Sequence, residues 1–514
     1  MIRLSGPLLE KYNSNSPIAQ AINSVTKRLS QKDSTIWGDA AQAEASVRLN
    51  WIDLPRASQD LIEKLDELKL WSKSKNFKKI LLCGMGGSSL APEVFGKVFN
   101  REITILDSTH PDQIASALNS SLSQTLIIIG SKSGSTIETN SHKNFFESEL
   151  EKAGLDPKDH LVVVTDPGSP LESDAVKNEY KLIVSDPNVG GRFSALSAFG
   201  LVPASLMNLD IKQILRDAEK CAEDFTKRDS APVVISTLLL EQSDQFLAFC
   251  DNGSNVPGIS DWIEQLIAES TGKDGKGRLP IVLESFGSEI SGDIPVVSFE
   301  EGKGDIAVEG SLSEQFIFWE WVTALVGYGL GVDPFNQPNV AEAKERTAKL
   351  LKNWSEGRPR SAPTFLDEDL EVYSEDSVSS LDEALLKFLA PNHGYVAIMA
   401  YLNREQDFEI LKLRNLVADK FKIPTTFGWG PRFLHSTGQF HKGGQQNGAF
   451  IQITSESSVD FLIPNTDYSF QTLISAQAIG DGEALKSRNL PLIRIHLKRT
   501  EQGVRKLLDS FKKI

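Results

Sequence analysis

Runs of consecutive aliphatic residues alternate with helix-length segments in the first half of the chain. The runs are KKILLCG, ITILD, TLIIIG, HLVVVTD and KLIVSD, and they lie between residues 78 and 186. Aliphatic strands without polar alternation, each followed by a helix, predict a parallel sheet that is covered on both faces. The sequence therefore predicts a doubly wound α/β unit, in which ligands bind beyond the carboxyl ends of the strands.

Two later regions repeat this alternation more sparsely. Strands are predicted for QFLAFCD, LPIVLES and PVVSFE, and then for YVAIMAYL, AFIQIT and PLIRIHL. The accompanying helices are predicted near residues 315–330, 340–354, 408–422, 471–488 and 500–512. Between the two regions, SEGRPRSAPTF carries the Pro and Gly residues that are typical of a linker.

The predicted fold is α/β, with two doubly wound parallel-sheet subdomains and a C-terminal α+β domain. An N-terminal helical segment precedes them, because RASQDLIEKLDELKLWSKS has apolar residues at helical spacing. The predicted boundaries are 1–75 for the helical segment, 76–230 and 231–354 for the two subdomains, 355–365 for the linker and 366–514 for the C-terminal domain.

Composition and charge narrow the class of protein. The chain has 514 residues, of which 40% are hydrophobic, and 69 acidic residues against 54 basic ones give a net charge of −15. This charge argues against binding to nucleic acid or to a membrane surface. Three cysteines without metal-ligand spacing, and an N-terminus without an apolar signal core, lead us to expect a cytoplasmic protein.

Glycine and serine follow the first predicted strand in the stretch CGMGGSSLAPEVF. Gly84, Gly86 and Gly87 allow a close approach of backbone and ligand, and Ser88 stands at the start of the next helix. The same stretch is compatible with a dinucleotide fingerprint, in which Asp107, after the second strand, would bind a ribose. On its own this motif does not identify its ligand.

A hydroxyl-rich turn, SKSGST, follows the third predicted strand and precedes a helix. Hydroxyl groups and the free N–H groups of a helix N-terminus form a site for an anion, and a compact phosphate monoester suits this turn. A structural alternative exists, because Ser135 and Glu138 have the spacing of a capping box. Capping explains one hydroxyl, whereas the turn carries four.

These stretches resemble motifs of the glucose-6-phosphate isomerase family, in the family's order, over about residues 80 to 350. GMGGSSLAP and SKSGSTIET resemble its two sugar-phosphate loops, VGGRFSALSAFGL its arginine segment, AESTGK its glutamate segment, and PFNQPNVAEAK its closing helix. The resemblance implies two sugar-isomerase (SIS) subdomains. It also implies interconversion of glucose 6-phosphate and fructose 6-phosphate without metal or cofactor.

The resemblance further implies roles for individual residues. Around the phosphate it places Ser88, Ser131, Lys132, Ser133 and Thr136. At the sugar it places Arg192 against the C1 and C2 oxygens, Glu269 as the base, and Gln265, Gln337 and Lys344 as further contacts.

The chemistry of aldose–ketose isomerisation calls for the same residue types. Moving a proton between C2 and C1 needs a carboxylate that reaches both carbons and a fixed positive charge on the enediolate oxygen. Gln265 lies four residues before Glu269, on the same helix face. Lys344 follows Gln337 by seven residues, so both point one way if the helix already includes Gln337. Taken singly, each residue also fits an ordinary surface position.

The chain departs from the family at the histidine that helps to open the pyranose ring. The corresponding stretch is GSLSEQFIFWEW, where Glu314 or Gln315 falls near the expected place, and Glu314 also has capping-box spacing from Ser311. In simpler family members this histidine comes from the partner subunit of a homodimer. We therefore expect the C-terminal domain to cover the cleft and to supply His435 or His441 from STGQFHKGG in the same chain.

The C-terminal region resembles the isomerase half of fused transaldolase and glucose-6-phosphate isomerase proteins, on the stretch GWGPRFLHSTGQFHKGGQQNGAFIQIT. No segment is patterned as a transaldolase barrel, so one activity is expected. The alternatives are a noncatalytic sugar-phosphate sensor and an NAD-dependent dehydrogenase. The expected partner is a small sugar phosphate, with neither nucleic acid nor membrane, and the chain is expected to be a monomer or a homodimer.

Overall fold

The computed structural model describes residues 1–119, 121–354 and 362–514, whose strands form three sheets. Most of the predicted linker, residues 355–361, lies outside the described residues. The N-terminal elements, numbered with all others in chain order, are β1 (Arg3–Ser5), α1 (Pro17–Ser30), α2 (Asp39–Ala45), α3 (Leu54–Ala57) and α4 (Ile62–Ser74).

The first sheet has five parallel strands in the order β3-β2-β4-β5-β6. Its elements are β2 (Lys79–Gly84), α5 (Leu90–Val98), β3 (Thr104–Leu106), α6 (Pro111–Leu118), β4 (Thr125–Gly130), α7 (Ile137–Lys152), β5 (Leu161–Thr165), α8 (Pro170–Lys177), β6 (Lys181–Val184), α9 (Ala198–Leu206) and α10 (Ile211–Ala222). The predicted doubly wound arrangement is confirmed. The strand order reverses between β2 and β4, which is where such sheets bind ligands.

The second sheet has the order β1-β10-β9-β7-β8, and β1 runs antiparallel to β10. Its other elements are α11 (Ala231–Glu241), β7 (Phe246–Cys250), α12 (Ile259–Thr271), β8 (Leu279–Val282), β9 (Val296–Ser298), β10 (Ile306–Glu309), α13 (Leu312–Leu330) and α14 (Pro338–Trp354). The N-terminal segment was predicted as helical, yet its first residues form an edge strand of this sheet.

The third sheet has the order β11-β12-β16-β15-β13-β14, with β13 to β16 parallel and β12 antiparallel to β16. Its elements are β11 (Phe365–Leu366), β12 (Leu370–Tyr373), α15 (Leu381–Leu389), β13 (Tyr395–Tyr401), α16 (Lys412–Phe421), β14 (Thr425–Trp429), α17 (Gly438–Gly443), β15 (Gly448–Ser455), α18 (Phe470–Lys486), β16 (Leu492–Leu497) and α19 (Thr500–Lys513). The predicted strands β13, β15 and β16 are confirmed, whereas β11, β12 and β14 were not predicted.

The three sheets share hydrophobic cores rather than standing apart. One core runs from the helices of the first sheet to those of the second, and another joins the first sheet to Leu351 on α14 and to Phe470 and Leu473 on α18. The C-terminal region therefore packs directly on the first sheet. Among the described helices, none combines the length and apolar composition that crossing a bilayer requires.

Candidate active site

The hydroxyl-rich turn lies at the carboxyl end of β4 and leads into α7. The Ser131 hydroxyl donates to Thr136 Oγ1 over 3.0 Å, while Ser135 donates to the Ser133 hydroxyl over 3.0 Å. Thr136 precedes α7 as its cap residue, but its side chain does not cap the helix. The capping box proposed for Ser135 and Glu138 is therefore not formed, and the N-terminus of α7 keeps its attraction for an anion.

The glycine loop after β2 lies beside this turn. Gly84 and Gly130 are neighbours in the sheet register. Ser88 lies close to both, and a Cβ added to Gly84 would be 3.1 Å from the Cβ of Ser88. Ser88 thus lies at the point where the strand order reverses. Lys132 differs from the other turn residues, because its ammonium pairs with Asp166 at the end of β5.

A buried cluster surrounds Glu269 near the end of α12. Gln265, one turn earlier, donates to Glu269 Oε2 over 3.2 Å, and Arg192 Nη1 lies 3.2 Å from Glu269 Oε1. The exposed fractions of Glu269, Arg192 and Gln265 are 8%, 3% and 3%. These values exclude a surface position for all three residues. The distances place a carboxylate beside a fixed cation.

Two backbone carbonyls and one hydroxyl hold the Arg192 guanidinium in place. Its Nη2 donates to the carbonyl oxygens of Pro334 and Asn336 over 2.6 and 3.0 Å, and its Nε donates to Ser270 over 2.7 Å. The backbone before Arg192 lies so close to the glycine loop that a Cβ at Gly87 would be only 1.9 Å from the carbonyl oxygen of Gly191. Only glycine fits there, so the two glycine motifs are in direct contact.

Gln337 and Lys344 reach the cleft at different places. Helix α14 begins at Pro338, so Gln337 precedes it and the condition for a shared helix face is not met. The Gln337 amide oxygen accepts from Arg192 Nη1 over 3.0 Å. Lys344 instead lines an adjoining cavity of about 420 Å³ together with Glu138 and His435.

His435 comes from the C-terminal region and lies in this cavity. It ends a short 3-10 helix, Arg432–His435, and its carbonyl oxygen accepts from Gln265 over 2.7 Å. Its Nε2 lies 3.0 Å from Glu138 Oε1. Burial alone would raise the pKa of Glu138, but His435 lowers it to about 2, so the carboxylate is ionised at neutral pH.

His441 is directed elsewhere. Its ring stacks on Tyr395 and packs edge-on against Phe450, and its Nδ1 is 2.9 Å from the Tyr395 hydroxyl. Burial lowers the pKa of His441 to about 3, so the ring is neutral at neutral pH. Of the two predicted histidines, the structure brings His435 to the cleft and directs His441 into the third sheet.

Two other sequence candidates have structural roles. Glu314 forms the capping box with Ser311 at the start of α13 and pairs with the N-terminal amine of Met1. Asp107, the ribose contact of the dinucleotide alternative, is 1% exposed and lies 3.3 Å from the Arg432 guanidinium. Neither carboxylate is directed into the cleft.

Sequence reasoning missed two residues of the site. Glu138 was considered only as a helix cap, and Gln477 on α18 was not considered at all; Gln477 Nε2 donates to Glu138 Oε1 over 2.7 Å. The signal for Glu138 was its place in the SKSGSTIET stretch. Gln477 comes from a region far away in the chain, and no local pattern marks it.

Part of the chain is similar in sequence to known proteins. The family model described as phosphoglucose isomerase matches residues 15–256. A probable glucose-6-phosphate isomerase of Methanococcus maripaludis is 32% identical over 239 residues, which cover 43% of this chain and 54% of that protein. A glucose-6-phosphate isomerase of Thermus thermophilus is 32% identical over 254 residues, which cover 46% of this chain and 59% of that protein.

The match therefore spans little more than half the length of these curated relatives. Among solved structures, a glucose-6-phosphate isomerase from Chlamydia trachomatis superposes with a TM-score of 0.55 at 17% identity, covering 69% of this chain and 89% of that chain. This similarity establishes a shared fold. The chain thus resembles the phosphoglucose isomerases in sequence motifs and in architecture.

Proposed function

We propose that this chain, which resembles the phosphoglucose isomerases, interconverts glucose 6-phosphate and fructose 6-phosphate through an enediolate. The observation that carries the proposal is the buried Glu269 carboxylate, held between Arg192 and Gln265, with Gly86 of the glycine loop packed against Gln265. A carboxylate, a fixed cation and an anion site in one cleft are the parts that this reaction requires. The reaction needs no metal or cofactor.

The phosphate group binds at the turn between β4 and α7. The hydroxyls of Ser131, Ser133 and Thr136 and the first N–H groups of α7 donate to its oxygens. Ser88 approaches from the neighbouring strand end. Lys132 contributes its backbone to the turn, while its ammonium stays with Asp166.

Glu269 then takes the proton from C2 and returns it to C1. Arg192 stabilises the negative charge that develops on the enediolate oxygen, because its guanidinium is fixed before the substrate arrives. The Gln337 amide occupies one Nη1 hydrogen bond in the described structure. Gln337 is exposed and precedes α14, so it gives way to the sugar oxygen when substrate binds.

His435 opens the pyranose ring with Glu138 as its partner. The ionised Glu138 accepts from Nε2, which leaves Nδ1 to take the proton from the C1 hydroxyl and then to return it at the ring oxygen. Because His435 belongs to the third sheet's region of the same chain, a monomer or a homodimer can carry out this step. Lys344 lines the same cavity and adds positive charge near Glu138.

The two alternative functions have less support. A dehydrogenase needs Asp107 for a ribose, but Asp107 is buried and engaged by Arg432. A noncatalytic sensor needs the phosphate turn but has no use for a base in contact with a fixed arginine. We also infer that the activity serves glycolysis and gluconeogenesis in the cytoplasm, where the free, buried cysteines Cys83, Cys221 and Cys250 would stay reduced.

A coupled assay of fructose 6-phosphate conversion by the purified chain, without added metal, tests the proposal. Formation of glucose 6-phosphate supports it. Binding of fructose 6-phosphate without turnover would favour the sensor, and tight binding of NAD without sugar-phosphate turnover would favour the dehydrogenase.

Removing two hydroxyls from the phosphate turn should weaken substrate binding. In Ser133→Ala/Thr136→Ala, each lost charge-assisted hydrogen bond is worth roughly 1.5 to 3 kcal/mol, so KM should rise at least tenfold. The matched control is Ser121→Ala/Ser123→Ala, which removes an exposed hydroxyl pair outside the site. Equal inhibition of the first double variant and the wild type by inorganic phosphate would show that the anion binds elsewhere.

A further inference from the structure

A network of charged side chains joins the first sheet to the third, and Lys97 on α5 also pairs with its Glu93. Glu93 on α5 and Asp107 after β3 supply the carboxylates, and Arg404 and Arg432 supply the guanidinium groups. Arg432 Nη2 donates to Glu93 Oε2 over 2.6 Å, and its Nε lies 3.3 Å from Asp107 Oδ2. Arg404 lies 3.3 Å from Glu93 and 3.7 Å from Asp107.

Within this network Arg432 makes the shorter contacts. Its side chain is 12% exposed and the Asp107 side chain 1%, so solvent screens their attraction poorly. Burial alone would lower the pKa of Arg432, but Asp107 and Glu93 raise it, which keeps the guanidinium charged. A planar guanidinium can bridge two carboxylates at once, which a lysine ammonium does less well.

Arg432 and His435 are the two ends of the same single-turn helix. His435 is tied to the cleft by its carbonyl oxygen, which accepts from Gln265, and by its ring contact with Glu138. Between the ends, the Phe433 ring packs edge-on against Tyr401 of β13. The turn is thus attached to the third sheet by Phe433 and to the first sheet by Arg432.

We propose that Arg432 is a positioning residue, which fixes the turn so that His435 meets Glu138 and the sugar ring. The inference rests on the proposed function, in which His435 opens the pyranose. Nothing in the isomerase chemistry itself requires an arginine at this place. Its role follows from the fact that the histidine-bearing turn belongs to a different sheet from the cleft it serves.

Arg432→Lys tests this role, because it keeps the positive charge but cannot bridge Glu93 and Asp107 with the same geometry. Ring opening is measured separately from isomerisation as the exchange between the α and β anomers of glucose 6-phosphate, which needs no proton transfer at C2. We expect anomer exchange and the kcat for glucose 6-phosphate to fall together by about tenfold or more, since small misplacements of catalytic groups are costly. KM should change little, because the phosphate turn is intact.

Arg404→Lys is the matched control, since Arg404 pairs with the same carboxylates but does not belong to the histidine-bearing turn. Its anomer exchange should stay within about twofold of the wild type, as expected for a residue remote from the reacting atoms. Circular dichroism and thermal unfolding verify that both variants are folded. For a poorly folded Arg432→Lys, the double variant Glu93→Gln/Arg432→Met replaces it, because it removes both charges of the shortest pair.

Three results would overturn the inference. Anomer exchange at the wild-type rate in a folded Arg432 variant would show that the turn is positioned without it. An equal loss in the Arg404 and Arg432 variants would show that the network only holds the two sheets together. A wild-type chain that neither isomerises nor exchanges anomers would refute the proposed function itself, and this inference with it.

Discussion

Replacing Glu269 with Gln should lower the turnover of sugar phosphate by about a hundredfold or more, because general base catalysis contributes at least that factor. The amide keeps the shape of the side chain, and its oxygen still accepts from Arg192, so substrate binding should persist. Anomer exchange should also persist, because ring opening does not involve the proton on C2. The measurements are kcat and KM in the coupled assay and anomer exchange by magnetisation transfer.

Glu320→Gln is the matched control for this change. Glu320 is a fully buried acid on α13, and burial raises its pKa well above the ordinary value, which favours the neutral acid, a group close in shape and charge to an amide. Its replacement should leave turnover within about twofold of the wild type and stability nearly unchanged, as an isosteric neutral swap predicts. Near-normal turnover in Glu269→Gln would mean that another carboxylate is the base.

The strands of the first sheet and their parallel direction could be predicted from the sequence, because the signal is local and strong. Each aliphatic run at the centre of that sheet is buried on both faces, and each is followed by a helix. The strands β1 and β10 of the second sheet were missed. They are three and four residues long, and β1 pairs with a partner some 300 residues away, for which no periodicity exists.

The residues of the candidate site also fall into a group that the sequence predicted and a group that it did not. Motif stretches predicted Arg192 and Glu269, and these two side chains form an ion pair in the structure. Gln337 was expected to share a helix face with Lys344 if the helix included it. The helix begins at Pro338 instead, because proline favours the first helical position. The sequence left the choice between His435 and His441 undecided, because it depends on tertiary packing: His435 ends the short helix Arg432–His435, whereas His441 lies on α17 and packs on Tyr395.

Contacts between sheets were the least predictable part. Glu138 has capping-box spacing from Ser135, yet its carboxylate binds His435 and Gln477, nearly 300 and more than 300 residues away. Asp107 likewise follows its strand as a ribose-binding acid would, but Arg432 engages it. A carboxylate whose local sequence suggests one role can instead pair with a cation far away in the chain. Only the tertiary structure decides between the local role and the distant ion pair.

Replacing His435 with Ala should lower anomer exchange as well as turnover, whereas Glu269→Gln should lower turnover alone. Loss of an acid–base group that moves protons at C1 and the ring oxygen should reduce anomer exchange and turnover of pyranose substrate by about a hundredfold, limited below by spontaneous ring opening in water. Binding should weaken little, because His435 lies in the cavity beside the phosphate turn and its backbone contact with Gln265 remains. The two variants together then separate ring opening from isomerisation.

His441→Ala is the matched histidine variant, and it should act on stability instead. Its ring stacks on Tyr395 and is neutral, so its loss should cost roughly 2 kcal/mol of the free energy of unfolding through a small cavity and a lost hydrogen bond. Turnover per folded molecule should stay at the wild-type level. If His435→Ala exchanges anomers as fast as the wild type, the ring-opening role is wrongly assigned. Lys344, which lines the same cavity, then becomes the candidate, since Glu314 is held as a helix cap.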